Sequence, residues 1–261
     1  MLRYLVLTLT MVVICIDSSA TNLVQQADSA YEQEKYKESL VLYQQAAEQE
    51  GVSSDLYYNM GNAYYRTGNL AQSILSYERA LRLDPSNDDA RTNLEFVNSR
   101  IADKKGETGS FLSNFIDSVA NWFHSNTWAW ISLILFLLCI ITAGVYVYTT
   151  PVLIKKVGFF SGITFLLLTI LSIYFSFKAK DIATDNTEAI ITSKVSMLST
   201  VPRKPISREE EAMLLHEGTK VKIIRSISQS GDSTGQTWLE VEVDNRHRAW
   251  INSSDIEKIV P

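Results

Sequence analysis

The chain has 261 residues, 46% of them hydrophobic and 20% charged, with a formal net charge of −5. Its apolar residues are pooled at 4–16, 128–150 and 157–177, which excludes a single globular core. The acidic balance argues against nucleic acid as the main partner, because phosphate binding draws on clustered Lys and Arg. Cys15 and Cys139 both lie in apolar runs, so the polar parts hold no disulfide, thiolate nucleophile or cysteine metal site.

Residues 1–20 carry one Arg, an apolar stretch and then Ser18, Ser19 and Ala20, small residues where a signal peptidase cuts. They read as a secretory signal, with an uncleaved anchor as the alternative. Residues 21–102 show a period of 34: Tyr31 aligns with Tyr65, Tyr36 with Leu70, Ser39 with Ser73, Tyr43 with Tyr77 and Ala46 with Ala80. In the unit 54–87, Tyr57, Met60, Gly61, Tyr64, Gly68, Ser73, Tyr77, Ala80 and Pro85 stand at the spacing of the tetratricopeptide repeat family, which this stretch resembles. Small Gly61, Ser73 and Ala80 let two antiparallel helices approach, Tyr64 and Tyr77 fill the gaps, and Pro85 stops the second helix. The unit 20–53 is degenerate, with Glu34 at the turn, and 88–102 fits a third first-helix acting as a cap.

The resemblance implies a concave face built from the first helix of each unit. Asp28, Tyr31, Tyr58, Asn59, Asn62, Tyr65, Arg66, Asn93 and Phe96 would face it, amides holding an extended peptide and rings packing its side chains. The alternative for some of the tyrosines is filling between helices. Family members that clamp a terminal carboxylate need Lys and Arg where this chain has Val24, Asp89 and Asn93, so only the amide Asn59 of that clamp is present. Residues 21–100 hold 12 acids and 7 bases, which favours a neutral or basic partner segment.

Residues 103–127 read as a linker and then an amphipathic interfacial helix, with Phe111, Phe115, Val119 and Trp122 at helical spacing. The uncharged run 128–150 is a first transmembrane helix, flanked by Trp128 and Trp130 at one interface and Tyr146 and Tyr148 at the other. A basic loop at 151–156 with Lys155 and Lys156, a second span at 157–177 and a linker at 178–188 follow; a buried soluble hairpin is the alternative. If the amino terminus is exported, the loop is cytoplasmic and everything after the second span is exported too.

In 189–261, strands are expected at 189–192, 220–224, 238–243 and 249–251, parted by turn-rich 228–235 and by Asp244 and Asn245, which suits a small barrel. The stretch 215–221, Trp238, Trp250, Ile251 and Ile256 resembles bacterial SH3-like domains, departing at Ala249, where that family usually has Gly. Some of its members bind cell-wall peptides and many dock proteins, so Trp238 and Trp250 either line a groove or fill the core. No nucleotide-binding Gly loop, nucleophile elbow or His-Glu-x-x-His motif occurs. His124, His216 and His247 lie far apart, and 207–211 is a solvated charge run, so no enzyme activity, metal or cofactor is expected.

The order of modules resembles the BatE-type family of the Bacteroides aerotolerance operon. That resemblance implies a multidomain membrane protein: an all-α tetratricopeptide repeat domain, a two-helix transmembrane hairpin and a small all-β SH3-like barrel. It implies a scaffold in the bacterial inner (cytoplasmic) membrane with both soluble domains in the periplasm. Its partners would be periplasmic or membrane proteins, among them von Willebrand type A domain proteins and a MoxR-type ATPase, in tolerance of oxidative stress. The alternative is a cell-wall sensor binding peptidoglycan through the SH3-like domain.

Overall fold

The computed structural model describes residues 20–103, 109–228 and 237–260. The expected signal lies outside them except for Ala20, as does the turn at 228–235 except for Ser228. Five helices come first: α1 (Ala20–Glu32), α2 (Tyr36–Glu50), α3 (Ser54–Arg66), α4 (Leu70–Leu83) and α5 (Asp88–Asn98). Each packs on the next, and α3 also touches both α1 and α5. The starts of α3 and α5 are set by side chains: Ser53 accepts from the Leu56 N–H at 3.1 Å and Asn87 from the Ala90 N–H at 2.9 Å. At Gly61 an added Cβ would lie 2.6 Å from the Tyr77 ring, so α3 and α4 meet only because this position has no side chain.

Seven strands follow later in the chain: β1 (Glu188–Ile191), β2 (Val195–Ser199), β3 (Glu211–His216), β4 (Lys220–Ser228), β5 (Thr237–Glu242), β6 (Arg248–Asn252) and β7 (Ile256–Lys258). They pair antiparallel in the order β3-β2-β6-β5-β4-β1-β7. One apolar cluster gathers Ile191, Leu198, Leu215, Val221, Val241, Ile251 and Ile256, drawing on every strand. A flat sheet would hold its outer strands about 29 Å apart, so this one curls around its core.

Read from sequence, the helical repeat and the strands are separate modules; in the structure they form one compact unit. The joint is β1. Ala189 and Ile191 point into the sheet core, while Ile190, with Ile259, enters the cluster of Tyr57, Ile74 and Tyr77 in the helices. A strand covered on both faces is apolar without alternation, which is why 189–191 reads Ala-Ile-Ile.

The second unit holds α6 (Phe111–Ala120), α7 (Ser125–Tyr148) and α8 (Val152–Thr184). At about 1.5 Å per residue, α7 and α8 are both long enough to cross a ~30 Å hydrocarbon core. None of the most apolar stretch of α7 and only 17% of that of α8 is buried in protein, unlike a soluble core helix. The Ser172 hydroxyl donates to the Trp128 carbonyl and the Ser176 hydroxyl to that of Ser125, each at 2.9 Å, zipping the pair together. α8 begins just after Pro151, whose fixed φ suits a helix start, and takes Lys155 and Lys156 into its opening turns. The expected loop at 151–156 thereby shrinks to 149–151, and the helix runs to Thr184 rather than ending at 177. On α6, Phe111 is 88% exposed and Leu112 and Phe115 are exposed beside it, while Asp117 on the other face pairs with Lys178 at 2.8 Å.

Candidate partner-binding groove

The first helices α1, α3 and α5 lie side by side, and a hydrogen-bond unit repeats along them. Tyr43 donates its hydroxyl to Asp28 Oδ1 at 2.5 Å, and Asn59 donates its amide to the same oxygen at 3.3 Å. One repeat later, Tyr77 donates to Asn62 Oδ1 at 2.6 Å and Asn93 to that oxygen at 2.9 Å. Burial pushes the Tyr77 phenol up to about 12 and, with Asp28 adding to it, raises that of Tyr43, so both stay donors near neutrality. Asp28, Asn59, Asn62 and Asn93 thus lie on neighbouring first helices, and part of their bonding capacity ties those helices to one another.

The remaining expected residues form a rim. Tyr31 meets Tyr36 edge-on at 5.2 Å, and Tyr65 meets Phe96 in the same way at 5.6 Å. The Arg66 guanidinium lies 4.9 Å from the centre of the Tyr36 ring and donates to its hydroxyl. Arg100 lies 4.3 Å over Phe96 and 5.7 Å from Tyr65. Phe96 is 47% exposed, both arginines are exposed, and Tyr58 rests against Tyr77 at 6.1 Å. Tyr36 and Arg100 were not anticipated, although the 34-residue period pairs Arg100 with Arg66.

The outer face of α4 is occupied instead. Arg79 pairs with Glu257 at 2.9 Å and donates to the carbonyls of Lys258 (2.9 Å) and Ile259 (3.2 Å); Arg82 pairs with Glu188. Lys220 reaches Glu78 at 3.1 Å and Glu188 at 2.9 Å. Burial alone would raise the Glu188 carboxyl, but Lys220 and Arg82 outweigh it and hold it below its ordinary value. Burial likewise opposes the Lys220 ammonium, and Glu78 and Glu188 more than offset that, keeping it above its ordinary value.

Beyond α5, Asp103 accepts from the His216 N–H at 2.6 Å and the Thr219 hydroxyl at 2.8 Å. Burial pushes the Asp103 carboxyl up, and these donors bring it below the usual range. Between His216 and Thr219, Gly218 takes a φ of +88°, and an added Cβ would sit 2.8 Å from both Ile101 and Ile74. The cleft left along this seam is about 70 Å³, room for a few waters and far below the roughly 300 Å³ of a small-molecule site.

Trp238 and Trp250 are 5% and 6% exposed. Glu240 stands opposite Trp250 across β5 and β6 and holds Arg225 at 2.5 Å, whose guanidinium lies 5.1 Å from the Trp250 ring centre. The indole groove considered from sequence is therefore not open here; both rings are packed away.

Residues 54–87, the span of α3, α4 and the turns after them, match the family profile described as Tetratricopeptide repeat. Tetratricopeptide repeat protein 16 of Macaca fascicularis and of Homo sapiens are each 31% identical over 71 residues, which is 27% of this chain. The match spans only 8% of the length of either relative. The chain therefore carries a tetratricopeptide repeat, a module that binds other proteins, and α3 with α4 is its best-formed unit.

Proposed function

We propose that the chain is a membrane-anchored, non-enzymatic adaptor that holds an extended segment of a partner protein along α1, α3 and α5. The carrying observation is the asymmetry of the repeat. The sheet covers the outer face of α4, whereas the face of the first helices leaves Phe96, Arg66 and Arg100 in solvent beside Tyr65. In this reading α7 and α8 are the anchor. Crossing a bilayer twice returns the chain to the side it left, as docking of the sheet on the repeat requires.

With an exported amino terminus, both docked regions lie in the periplasm of a bacterial inner membrane and Lys155 and Lys156 face the cytoplasm. The curled sheet is read as an SH3-like docking module. The module order supports partners of the von Willebrand type A and MoxR-type ATPase classes, in an envelope complex serving oxidative stress tolerance. For peptidoglycan binding, the buried Trp238 and Trp250 offer no support.

A photo-crosslinking residue placed at Tyr65 or Asn62 in native membranes should trap a partner, and Tyr65→Ala should release it. An unchanged set of co-purifying proteins in such variants would refute the groove. A reporter fused after Pro261 should be active only outside the cytoplasm; activity inside would invert the topology.

A further inference from the structure

Arg66 and Arg100 hold the same place in successive repeats, 34 residues apart, Arg66 closing α3 and Arg100 just beyond α5. Each guanidinium is laid on aromatic rings, Arg66 on Tyr36 and Arg100 on Phe96 and Tyr65. Stacking presets a planar fork in space, so little freedom is lost when it meets a carboxylate. Both are exposed, and the ion pairs among the described residues include neither. Glu34 acts on Arg66 electrostatically without pairing with it. One repeat earlier the same column holds exposed Glu32, so along the rim the charges run minus, plus, plus.

Neighbouring helix axes stand about 8–10 Å apart. A polyproline II segment repeats its side-chain direction every three residues, about 9.3 Å, which matches that step. We infer that the rim takes a partner segment in this extended form carrying two carboxylates three residues apart, one on Arg66 and one on Arg100. This rests on the groove reading above and adds the partner's chemistry to it. The net acidity of 21–100 argues for a basic partner, but with a screening length near ~8 Å the local sign at the rim decides. Glu32 would repel a third acid continuing the series.

The test uses the full chain in lipid nanodiscs and fluorescein-labelled peptides on one polyproline backbone. The peptides carry Glu at i and i+3, Glu at i and i+2, Gln at i and i+3, or Lys at i and i+3. The first should bind tightest, about ten-fold over its Gln counterpart, and should weaken with added salt. Arg66→Gln or Arg100→Gln should each remove most of that preference at unchanged melting temperature.

Equal binding of the Gln, Lys or i, i+2 peptides, or no binding by any, overturns the inference. Crosslinks at Tyr65 that persist in such a case keep the groove and sink only its acidic specificity; loss of both sinks the two together.

Discussion

The two faces of the helical repeat use the same kinds of side chain to opposite ends. On the outer face of α4, Arg79, Arg82 and Glu78 are matched by Glu257, Glu188 and Lys220 and covered by the sheet. On the face of the first helices, Arg66 and Arg100 lie over rings and stay in water. Matched and covered charge marks a joint; charge stacked on rings and left uncovered marks an opening. Desolvation offsets much of the Coulomb gain of such matched pairs, so removing a single partner costs more than the intact pair contributes.

The joint is the place where this contrast breaks most easily. Gly218→Val adds a side chain at positive φ against Ile101 and Ile74, and should cost about 3 kcal/mol, read as a lower melting temperature and faster protease cutting. Next in size, Lys220→Met leaves Glu78 without its cation and Glu188 with Arg82 alone. A loss of about 2 kcal/mol is expected in denaturant unfolding, partly recovered by adding Glu188→Gln.

Acid should loosen the same joint. Glu188 and Asp103 have depressed values in the folded protein, so their contribution is present above the unfolded range near ~4 and is lost as pH falls through the folded values. Lys220, raised in the fold, keeps its contribution below ~10.4 and loses it as pH rises through the folded value. Melting temperature should drop on acidification more in the parent than in an Asp103→Asn, Glu188→Gln double variant; equal slopes would remove these groups from the account. The smallest effect belongs to the opening: Tyr65→Ala trims a ring packed partly on the repeat's core, so it should cost about 1 kcal/mol while abolishing partner capture.

The repeat was legible because its packing is local. Gly61 under Tyr77 and Ser73 donating to the Gly61 carbonyl are contacts within one hairpin, and the period of 34 reports them directly. β2 was hidden by an inverted pattern: Ser196 and Ser199 are buried while Val195 and Met197 are exposed. β7 has three residues, too few for any period. The docking of sheet on repeat was illegible because Glu188, Lys220, Arg79 and Arg82 look like solvated surface until a partner over a hundred residues away covers them. The bonds of the amide face are illegible for a related reason: Asn59 donating to Asp28 and Asn93 to Asn62 show only once neighbouring first helices are side by side.

Because Ile190 and Ile259 complete the apolar cluster around Ile74, the helical repeat finishes its core with residues from much later in the chain. Until the ribosome has delivered both, α4 waits with its apolar flank bare. Chains interrupted after α8 would therefore leave that flank open to proteases.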